Sequence, residues 1–275
     1  MKLKELHKMG IELEIWLRMR VYPIAVKFLK NKKETPTGAI IPTRDWKHKF
    51  ALCQAFCMSE DGYEETIAMF KEDHWCFEPV IGLGLVDRTP EFLEGHHRYP
   101  DSTKTLEAGA EWCKNMPYFE KGLYQGIVTA PIHKCNFIPD LIIMHINGLM
   151  LTYLMILQNY IDGKDLHCQL SGHAACVYAI VPPILNNTCS ISIPCKGDRT
   201  IARAQDGELI FSMIPKMLPD FIDAIHFEQE HEWGLPPFYK LKEEYPLKPK
   251  YKEFGEKHGL NLAKSSFRPQ EYEKY

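Results

Sequence analysis

An apolar run from residue 141 to 161 limits the folds open to this chain more than any other feature, because it is as long as a membrane-spanning helix. Polar or flexible residues interrupt the run at five places: His145, Asn147, Gly148, Gln158 and Asn159. The Asn-Gly pair is typical of a turn, and Pro139-Asp140 stands just before the run. The pattern therefore favours a buried strand over 141–146, a turn at the Asn-Gly pair and a buried helix over 149–161.

The composition is that of an ordinary globular protein, with 45% hydrophobic and 25% charged residues among 275. These fractions exclude a disordered chain, a collagen-like repeat and a coiled coil. The net charge of −3 provides no overall basic field that would attract nucleic acid. Near the N-terminus, Glu12, Glu14, Arg18 and Arg20 interrupt the apolar pattern, which predicts an amphipathic helix and not a secretory signal. We therefore expect a cytoplasmic protein with reduced thiols, without membrane or nucleic-acid partners.

Periodicity predicts an α+β fold in which helices accompany a mixed sheet. We expect strands over 24–29, 126–132, 141–146 and 189–194, and helices at the N-terminus and over 45–58, 106–116, 149–161, 171–181 and 215–225. The segment 65–70 fits a strand and a helix equally well.

Two parts of the chain show the same order of features. Each has a strand, a helix that carries a cysteine, an apolar segment and a second cysteine before glycine. Residues 21–135 and 136–230 are therefore candidates for two pseudo-duplicated halves, although their residue-by-residue similarity is weak. We expect one globular domain over 1–235. Over 236–275 we expect an extended C-terminal tail, which packs on the body or forms a homo-oligomer.

Four of the nine cysteines stand out because they occupy matching places in these halves: Cys53, Cys76, Cys176 and Cys195. Widely spaced thiolates suit an iron–sulfur cluster, whereas structural zinc normally uses closely spaced C-x2–4-C pairs. No CxxC pair occurs in the sequence. The alternative is that each cysteine is simply a small buried hydrophobic residue.

Four other side chains are candidates for acid–base or anchoring roles. His74 and His173 stand close before a cysteine in each half. Lys27 lies within the apolar strand segment IAVKFL, where it either reaches outward or lines the pocket. Arg199 can pair with an anionic substrate carboxylate or close a structural turn.

Common catalytic motifs are missing from the sequence. It contains no P-loop, no nucleophile-elbow G-x-S-x-G and no complete G-x-G-x-x-G. The adjacent His96 and His97 of the segment EGHHR fit a solvated turn better than a metal site.

Short motifs follow one another in a specific order: PIAVKFL, Cys53, HWC with GLGL, PDLIIMHING, QNYIDG, SGHAACVYAIVPP, ISIPCKGDRTIA and ELIFSMIP. In this order the chain resembles the domain-of-unknown-function 169 (DUF169) family of mostly anaerobic bacteria and archaea over residues 20–226. The resemblance implies a shared fold and site, and family cysteines at Cys53, Cys76, Cys176 and Cys195, but no known reaction. The turn at 146–148 reads Ile-Asn-Gly where the family usually has glycine-Asn-Pro, which puts any family role of this turn in doubt.

Our leading hypothesis is that the four cysteines converge between the two halves and bind a [4Fe–4S] cluster beside a pocket for a small-molecule substrate. The iron would act as a Lewis acid or redox centre on a small organic acid or aromatic compound. The candidate acid–base or anchoring groups are His74, His173, Lys27 and Arg199. Lyase chemistry would require an iron with an open position, and therefore one cysteine that does not ligate.

Two alternatives remain open. The protein could be a non-catalytic accessory protein that binds a metal or cofactor. It could also be a cluster-free cysteine enzyme with Cys76 or Cys195 as the nucleophile.

Overall fold

The computed structural model describes residues 1–60, 62–230 and 249–259, and its fold is α+β, as the sequence predicts. Six strands form one sheet: β1 (Ile24–Leu29), β2 (Ile67–Phe70), β3 (Gly126–Pro131), β4 (Leu141–Asn147), β5 (Cys189–Ser192) and β6 (Glu208–Met213). Their order across the sheet is β2-β3-β1-β4-β6-β5.

Helices surround this sheet and connect its strands. Those in the described ranges are α1 (Leu3–Leu17), α2 (Pro42–Asp45), α3 (Leu52–Met58), α4 (Phe77–Gly82), α5 (Pro90–Leu93), α6 (Leu106–Asn115), α7 (Gly148–Asp162), α8 (Ala175–Asn186), α9 (Lys196–Ile201), α10 (Leu218–Glu230) and α11 (Pro249–Lys257). Short 3-10 turns lie at Lys32–Glu34, Lys71–Asp73 and Pro215–Met217.

The sheet is antiparallel and not mixed, since every pairing between these strands is antiparallel. Strands β1 and β2 do run in the same direction and could have formed a parallel pair. However, β3 lies between them and pairs with both in the opposite direction. Strand β3, the last strand of the first half, thus separates β1 from β2 and prevents a parallel pair.

The two halves of the chain have the same strand order. In each half the third strand lies between the first and the second, which gives β2-β3-β1 on one side and β4-β6-β5 on the other. The halves meet at the antiparallel pair β1 and β4, where Ile24 is opposite Ile143 and Ala25 is opposite Ile142. The strand order and strand directions of the two halves are therefore related by an approximate two-fold axis at the β1–β4 pair.

The main hydrophobic core lies on one face of the sheet. Ile24, Val26 and Phe28 of β1 contribute to it together with buried residues of α3 and α8. Because side chains alternate along a strand, Lys27 projects from the opposite face. Cys176 and Cys195 pack with the core on the first face, so Lys27 points away from them.

The apolar run at 141–161 forms the strand, turn and helix that its interruptions predict. Strand β4 ends at Asn147, whose side chain accepts a hydrogen bond from the Met150 amide at 3.0 Å and caps α7. Within the described part of the chain, no helix combines the length and the apolar character needed to cross a bilayer.

The chain divides into two units, Met1–Phe227 and Glu228–Tyr275. The first contains the whole sheet. In the second, α11 is helical, so this part of the tail predicted over 236–275 is not extended. Pro249 at the first helical position and the Glu253–Lys257 ion pair at 3.2 Å both suit a helix. Most of the remaining predicted tail lies outside the described residues.

Candidate functional site

All four of the cysteines that the sequence singles out line one cavity of about 200 Å³. The cavity lies where α3, α8 and the beginnings of α4 and α9 meet. The polar and aromatic side chains around it are Trp75, Glu78, His173, Lys196 and Asp198. Residues distant in sequence and drawn from both halves of the chain are thus brought to one place.

Cys53 and Cys176 occupy the same position in two corresponding helices. Each is the second residue of its helix, since α3 begins at Leu52 and α8 begins at Ala175. Both helices connect the first and second strands of their half. The two thiols therefore occupy corresponding places in the element order of the two halves.

Hydroxyl groups of the sheet hold these two helices in place. Thr129 Oγ1 donates a hydrogen bond to the Ala55 carbonyl of α3 at 3.3 Å. Ser192 Oγ donates to the Ala175 carbonyl of α8 at 2.9 Å. Because these bonds join the helices to the sheet near the cysteines, they fix the positions of the two thiols.

Cys76 and Cys195 form the second related pair. Cys76 is the N-cap residue of α4 and Cys195 is the N-cap residue of α9, and each follows the second strand of its half. Both side chains are half-buried. The four thiols thus consist of two pairs, each with one member from either half.

Burial raises the pKa of all four thiols. The pKa of Cys195 rises to about 11, first because of burial and then because Asp198 is close. Burial also raises the pKa of Cys53, Cys76 and Cys176, and the charges of neighbouring cysteines raise it further. The thiols are therefore protonated at neutral pH unless a cation replaces their protons.

Glu78, in the first turn of α4, is in direct contact with one of the thiols. Cys76 Sγ donates a hydrogen bond to Glu78 Oε2 at 3.2 Å. The other oxygen, Oε1, lies 3.4 Å from His97 Nε2 and 3.3 Å from Arg98 Nη2. Burial by itself would raise the pKa of Glu78, but His97, the backbone, Cys76 and Arg98 together lower it to about 2. Glu78 is therefore an ionised carboxylate between a thiol and two basic side chains.

Arg98 is a buried cation behind this carboxylate. Its side chain is 5% exposed, and its Cζ lies 3.6 Å from the centre of the Trp112 ring. Its Nε and Nη2 atoms have no hydrogen-bond partner among the described residues. Arg98 thus neutralises Glu78 by proximity, and the Trp112 ring fixes the plane of the guanidinium.

Asp198 lies beside Cys195 and is 1% exposed. Its Oδ2 accepts a hydrogen bond from the Cys195 amide at 2.9 Å, which caps the start of α9. Its Oδ1 has no hydrogen-bond partner in the described part of the chain. One oxygen of a buried carboxylate is therefore available to a group bound in the cavity.

The opening of the cavity is lined by more exposed side chains. Trp75 is 55% exposed, and its Nε1 donates to Gln54 Oε1 at 3.1 Å. Lys196 and His173 are also exposed. Partial burial and then the charge on Arg98 lower the pKa of His173, so its imidazole is neutral at pH 7.

Of the four predicted acid–base or anchoring groups, His173 is placed at the cavity and Lys27 is not. Lys27 belongs to the opposite face of the sheet, where its Nζ donates to the Ile138 carbonyl at 3.3 Å. The cause is strand alternation, because Val26 and Phe28 occupy the core-bearing face.

His74 and Arg199 also lie outside the cavity lining. His74 is buried, neither ring nitrogen has a described hydrogen-bond partner, and burial lowers its pKa to about 4. Arg199 Nη1 donates to the Gln205 carbonyl at 2.5 Å, a contact within the segment that follows α9. Neither residue is therefore placed to act on a molecule bound among the cysteines.

Sequence reasoning missed Glu78, Arg98 and Asp198 at this site. The signal for Glu78 and Asp198 was their position shortly after Cys76 and Cys195, in the first turn of the helices that follow. Arg98 had no such signal, because the EGHHR segment resembles a solvated turn. Only the packing of Arg98 against the Trp112 ring shows that this last residue of the segment is buried.

The possible donors around the cavity are the four thiols and the carboxylates of Glu78 and Asp198. Among the described residues, no three or more His, Cys, Asp or Glu side chains are assembled in a way that could hold one ion. On zinc, four sulfurs about 2.3 Å from the metal would lie within roughly 4 Å of one another. A [4Fe–4S] cluster is normally held by four thiolates. Cys53, Cys76, Cys176 and Cys195 are the cavity residues that would hold one.

The sequence model of the DUF169 family, described as uncharacterised ArCR, matches residues 12–224 of the chain. This range includes the six strands, the four cysteines and the carboxylates beside them. No curated protein and no solved structure matches the chain.

Proposed function

We propose that this chain, which belongs to the uncharacterised DUF169 family, is an iron–sulfur protein whose [4Fe–4S] cluster lies between its two halves. Cys53, Cys76, Cys176 and Cys195 would be the ligands. The observation that carries the proposal is that these four thiols, two from each half, line a single cavity.

The approximate two-fold symmetry supports a bound group that is itself close to symmetric. Each half contributes one thiol from the first turn of a helix and one thiol from a helix N-cap. A cubane cluster presents four equivalent corners and accepts ligands from distant segments. Two equivalent pairs of thiols around one space meet that requirement.

The raised pKa values favour a cluster over nucleophilic cysteine chemistry. A cysteine nucleophile works as a thiolate and is normally found where its pKa is lowered. Here burial raises the pKa of Cys195 to about 11, and also raises that of Cys76. Replacement of the protons by iron is the ordinary way for such thiols to become thiolates at neutral pH.

We further propose that the protein is an enzyme for a small organic acid or aromatic compound, in lyase or redox chemistry. When bound, the cluster would supply Lewis-acid or electron-transfer chemistry. Trp75 offers an exposed ring at the opening, and Lys196 offers a positive charge there for a substrate carboxylate. The neutral imidazole of His173 can accept a proton from a molecule at the opening.

Anaerobic purification tests the proposal directly. We expect a brown protein with a broad absorption band in the visible blue and about four irons and four sulfides per chain. A colourless protein that contains no iron or sulfide after anaerobic expression with added iron would contradict the cluster. Zinc in place of iron would contradict it as well.

The same preparation separates an enzyme from an accessory protein. An iron-loaded protein that converts none of a broad panel of small acids and aromatic compounds would favour the accessory role. Rapid labelling of a single thiol in an iron-free protein would instead favour the cysteine enzyme.

A further inference from the structure

Three sulfur-bearing side chains meet around strand β5, apart from the four-cysteine cavity: Cys168, Cys189 and Met217. They belong to the segment after α7, to β5 itself and to the 3-10 turn before α10. We propose that these two thiols and one thioether form a binding site for a single Cu(I) ion. The site is separate from the proposed iron–sulfur cluster and does not depend on it.

Cys189 lies at the centre of this group. Its side chain is 1% exposed, and its Sγ lies 3.8 Å from Met217 Sδ. Two sulfurs that are bound to one metal ion at about 2.3 Å lie roughly 4 Å apart. The Cys189–Met217 pair therefore already has the spacing of two ligands of one ion.

Cys168 is held against the same strand. Its Sγ accepts a hydrogen bond from the Ile191 amide at 3.3 Å. Ile191 is two residues after Cys189, so their side chains lie on the same face of β5. Burial raises the pKa of Cys189 to about 12, and the proximity of Cys168 contributes to this rise. The second thiol thus lies beside the first.

The group has a closed side and an open side. Gln158 of α7 is buried, and its Oε1 lies 3.6 Å from Cys189 Sγ. Cys168 and Met217 are each half-buried, so they remain in contact with solvent. An ion can therefore reach Cys189 by way of these two side chains.

The types of donor decide which ion fits. Thiolate and thioether sulfurs are soft ligands, and together they favour Cu(I). Zinc is bound by cysteine, histidine and carboxylate side chains, so the thioether of Met217 counts against zinc. In the described ranges no three such zinc-type side chains are grouped to hold an ion.

Binding exchanges protons for a metal ion and needs no oxidant or reductant. Cu(I) forms bonds to both thiolate sulfurs and to Met217 Sδ. The two thiol protons pass to solvent, and copper keeps its oxidation state.

Competition for Cu(I) with the chelator bicinchoninate tests the site on the full chain under anaerobic conditions. We expect the wild type to withdraw about one Cu(I) ion per chain more than Cys189→Ala, since this difference cancels any copper taken up by the cavity thiols. Met217→Leu should bind this ion about tenfold more weakly or worse, because loss of even an outer-shell partner costs a metal site about 10–100-fold.

Cys113→Ala and Met116→Leu are matched controls. Both residues are buried in the main core, and neither lines the four-cysteine cavity. Each variant should withdraw as much Cu(I) as the wild type. Circular dichroism establishes that every variant is folded, and X-ray absorption at the copper edge should show only sulfur neighbours in M116L.

The copper site and the cluster fail in distinguishable ways. Equal Cu(I) uptake by the wild type and C189A, or equal loss in C189A and C113A, would overturn the copper site. Unchanged Cu(I) affinity in M217L would overturn it as well, because the thioether would then not be a ligand. An iron-free wild type that still binds one more Cu(I) ion than C189A would overturn the cluster and support the copper site.

Discussion

Cys53 and Cys176 are the two thiols with no neighbouring carboxylate in their own helical turn, and each lies on a helix of a different half. We predict that Cys53→Ala and Cys176→Ala each reduce iron to less than about half of the wild-type content, because no other donor is in place. Iron and sulfide analysis after anaerobic purification measures this loss.

Cys189 provides the matched control for these variants. It is 1% exposed and lies in β5, but it does not line the cavity. We expect Cys189→Ala to keep the iron of the wild type. Equal loss in C189A and C176A would show that iron content follows the general stability of the fold and not the proposed ligand set.

His74 makes stability depend on pH although it lies outside the cavity. Its pKa is about 4 in the folded protein against 6.5 in its ordinary state, because burial disfavours the imidazolium. Between these values the unfolded chain binds more protons, so the free energy of unfolding decreases as the pH falls. From pH 6.5 to 5 the loss from this group amounts to about 2 kcal/mol.

The variant His74→Phe should remove this part of the pH dependence. We expect the difference in urea midpoint between pH 7 and pH 5 to be smaller in iron-free H74F than in the iron-free wild type. Parallel pH profiles for the two proteins would show that His74 does not titrate in this range.

At the scale of secondary-structure elements, the close approach of α4 and α8 positions two of the cysteines. A Cβ atom added at Gly82 of α4 would lie 2.5 Å from Val177 Cγ1 of α8, too near for the present packing. Gly82→Ala should therefore separate the helices that carry Cys76 and Cys176. We expect a loss of about 1–3 kcal/mol in the free energy of unfolding, measured by urea denaturation, and weaker iron retention.

Two further variants control for the added methyl group. Gly148→Ala, at the start of α7, meets no atom within 4 Å and should leave stability nearly unchanged. The double variant G82A/V177A relieves the clash and should be less destabilised than the sum of its single changes. A strictly additive result would contradict the contact between α4 and α8 as the cause.

Much of the element order could be predicted from sequence because strong local patterns set it. The run IAVKFL forms β1 at the predicted positions, and the Asn-Gly break separates β4 from α7. Of the helix predicted over 45–58, only Asp45, the last residue of α2, and α3 are helical, since the chain turns at Lys47 with a φ of 60°. Hydrophobic composition alone does not reveal such a break.

Helix α8 shows how tertiary contacts override a local signal. The sequence predicts its end at residue 181, before Pro182-Pro183, yet it continues to Asn186. Pro182 cannot donate to the Tyr178 carbonyl, but Ser190 Oγ of the neighbouring strand donates to it at 3.3 Å. The hydrogen bond that proline removes is thus replaced from the sheet, which no local pattern could indicate.

For the site, sequence order identified the four cysteines but not the groups around them. Their matching places in the halves reflect the repeated strand order, which can be recognised from sequence. The contacts of Glu78 with Arg98 and the burial of Asp198 depend on how the helices pack together. The expected roles of Lys27 and Arg199 depended on side-chain direction, which the sequence left open.

At the scale of the whole molecule, a bound cluster would link the two halves through two ligands from each. We predict that anaerobic removal of iron with a chelator lowers the melting temperature by roughly 5–15 °C, because bound metal stabilises only the folded state. Differential scanning calorimetry of the two forms measures this change. An unchanged melting temperature would contradict a cluster held by both halves.

The unit Met1–Phe227 contains the whole sheet and every residue proposed as a ligand. We predict that a chain ending after Glu230, where α10 ends, folds and keeps the wild-type iron content. Circular dichroism and iron analysis are the measurements. An aggregated or iron-free fragment would show that the second unit is needed for the site.

The most direct test of the central claim is an anomalous scattering measurement at the iron edge on crystals grown anaerobically. The four-cysteine site predicts one compact group of iron peaks inside the cavity, bounded by Cys53, Cys76, Cys176 and Cys195. Iron peaks elsewhere, a single isolated ion, or no iron in crystals of anaerobically prepared protein would contradict it.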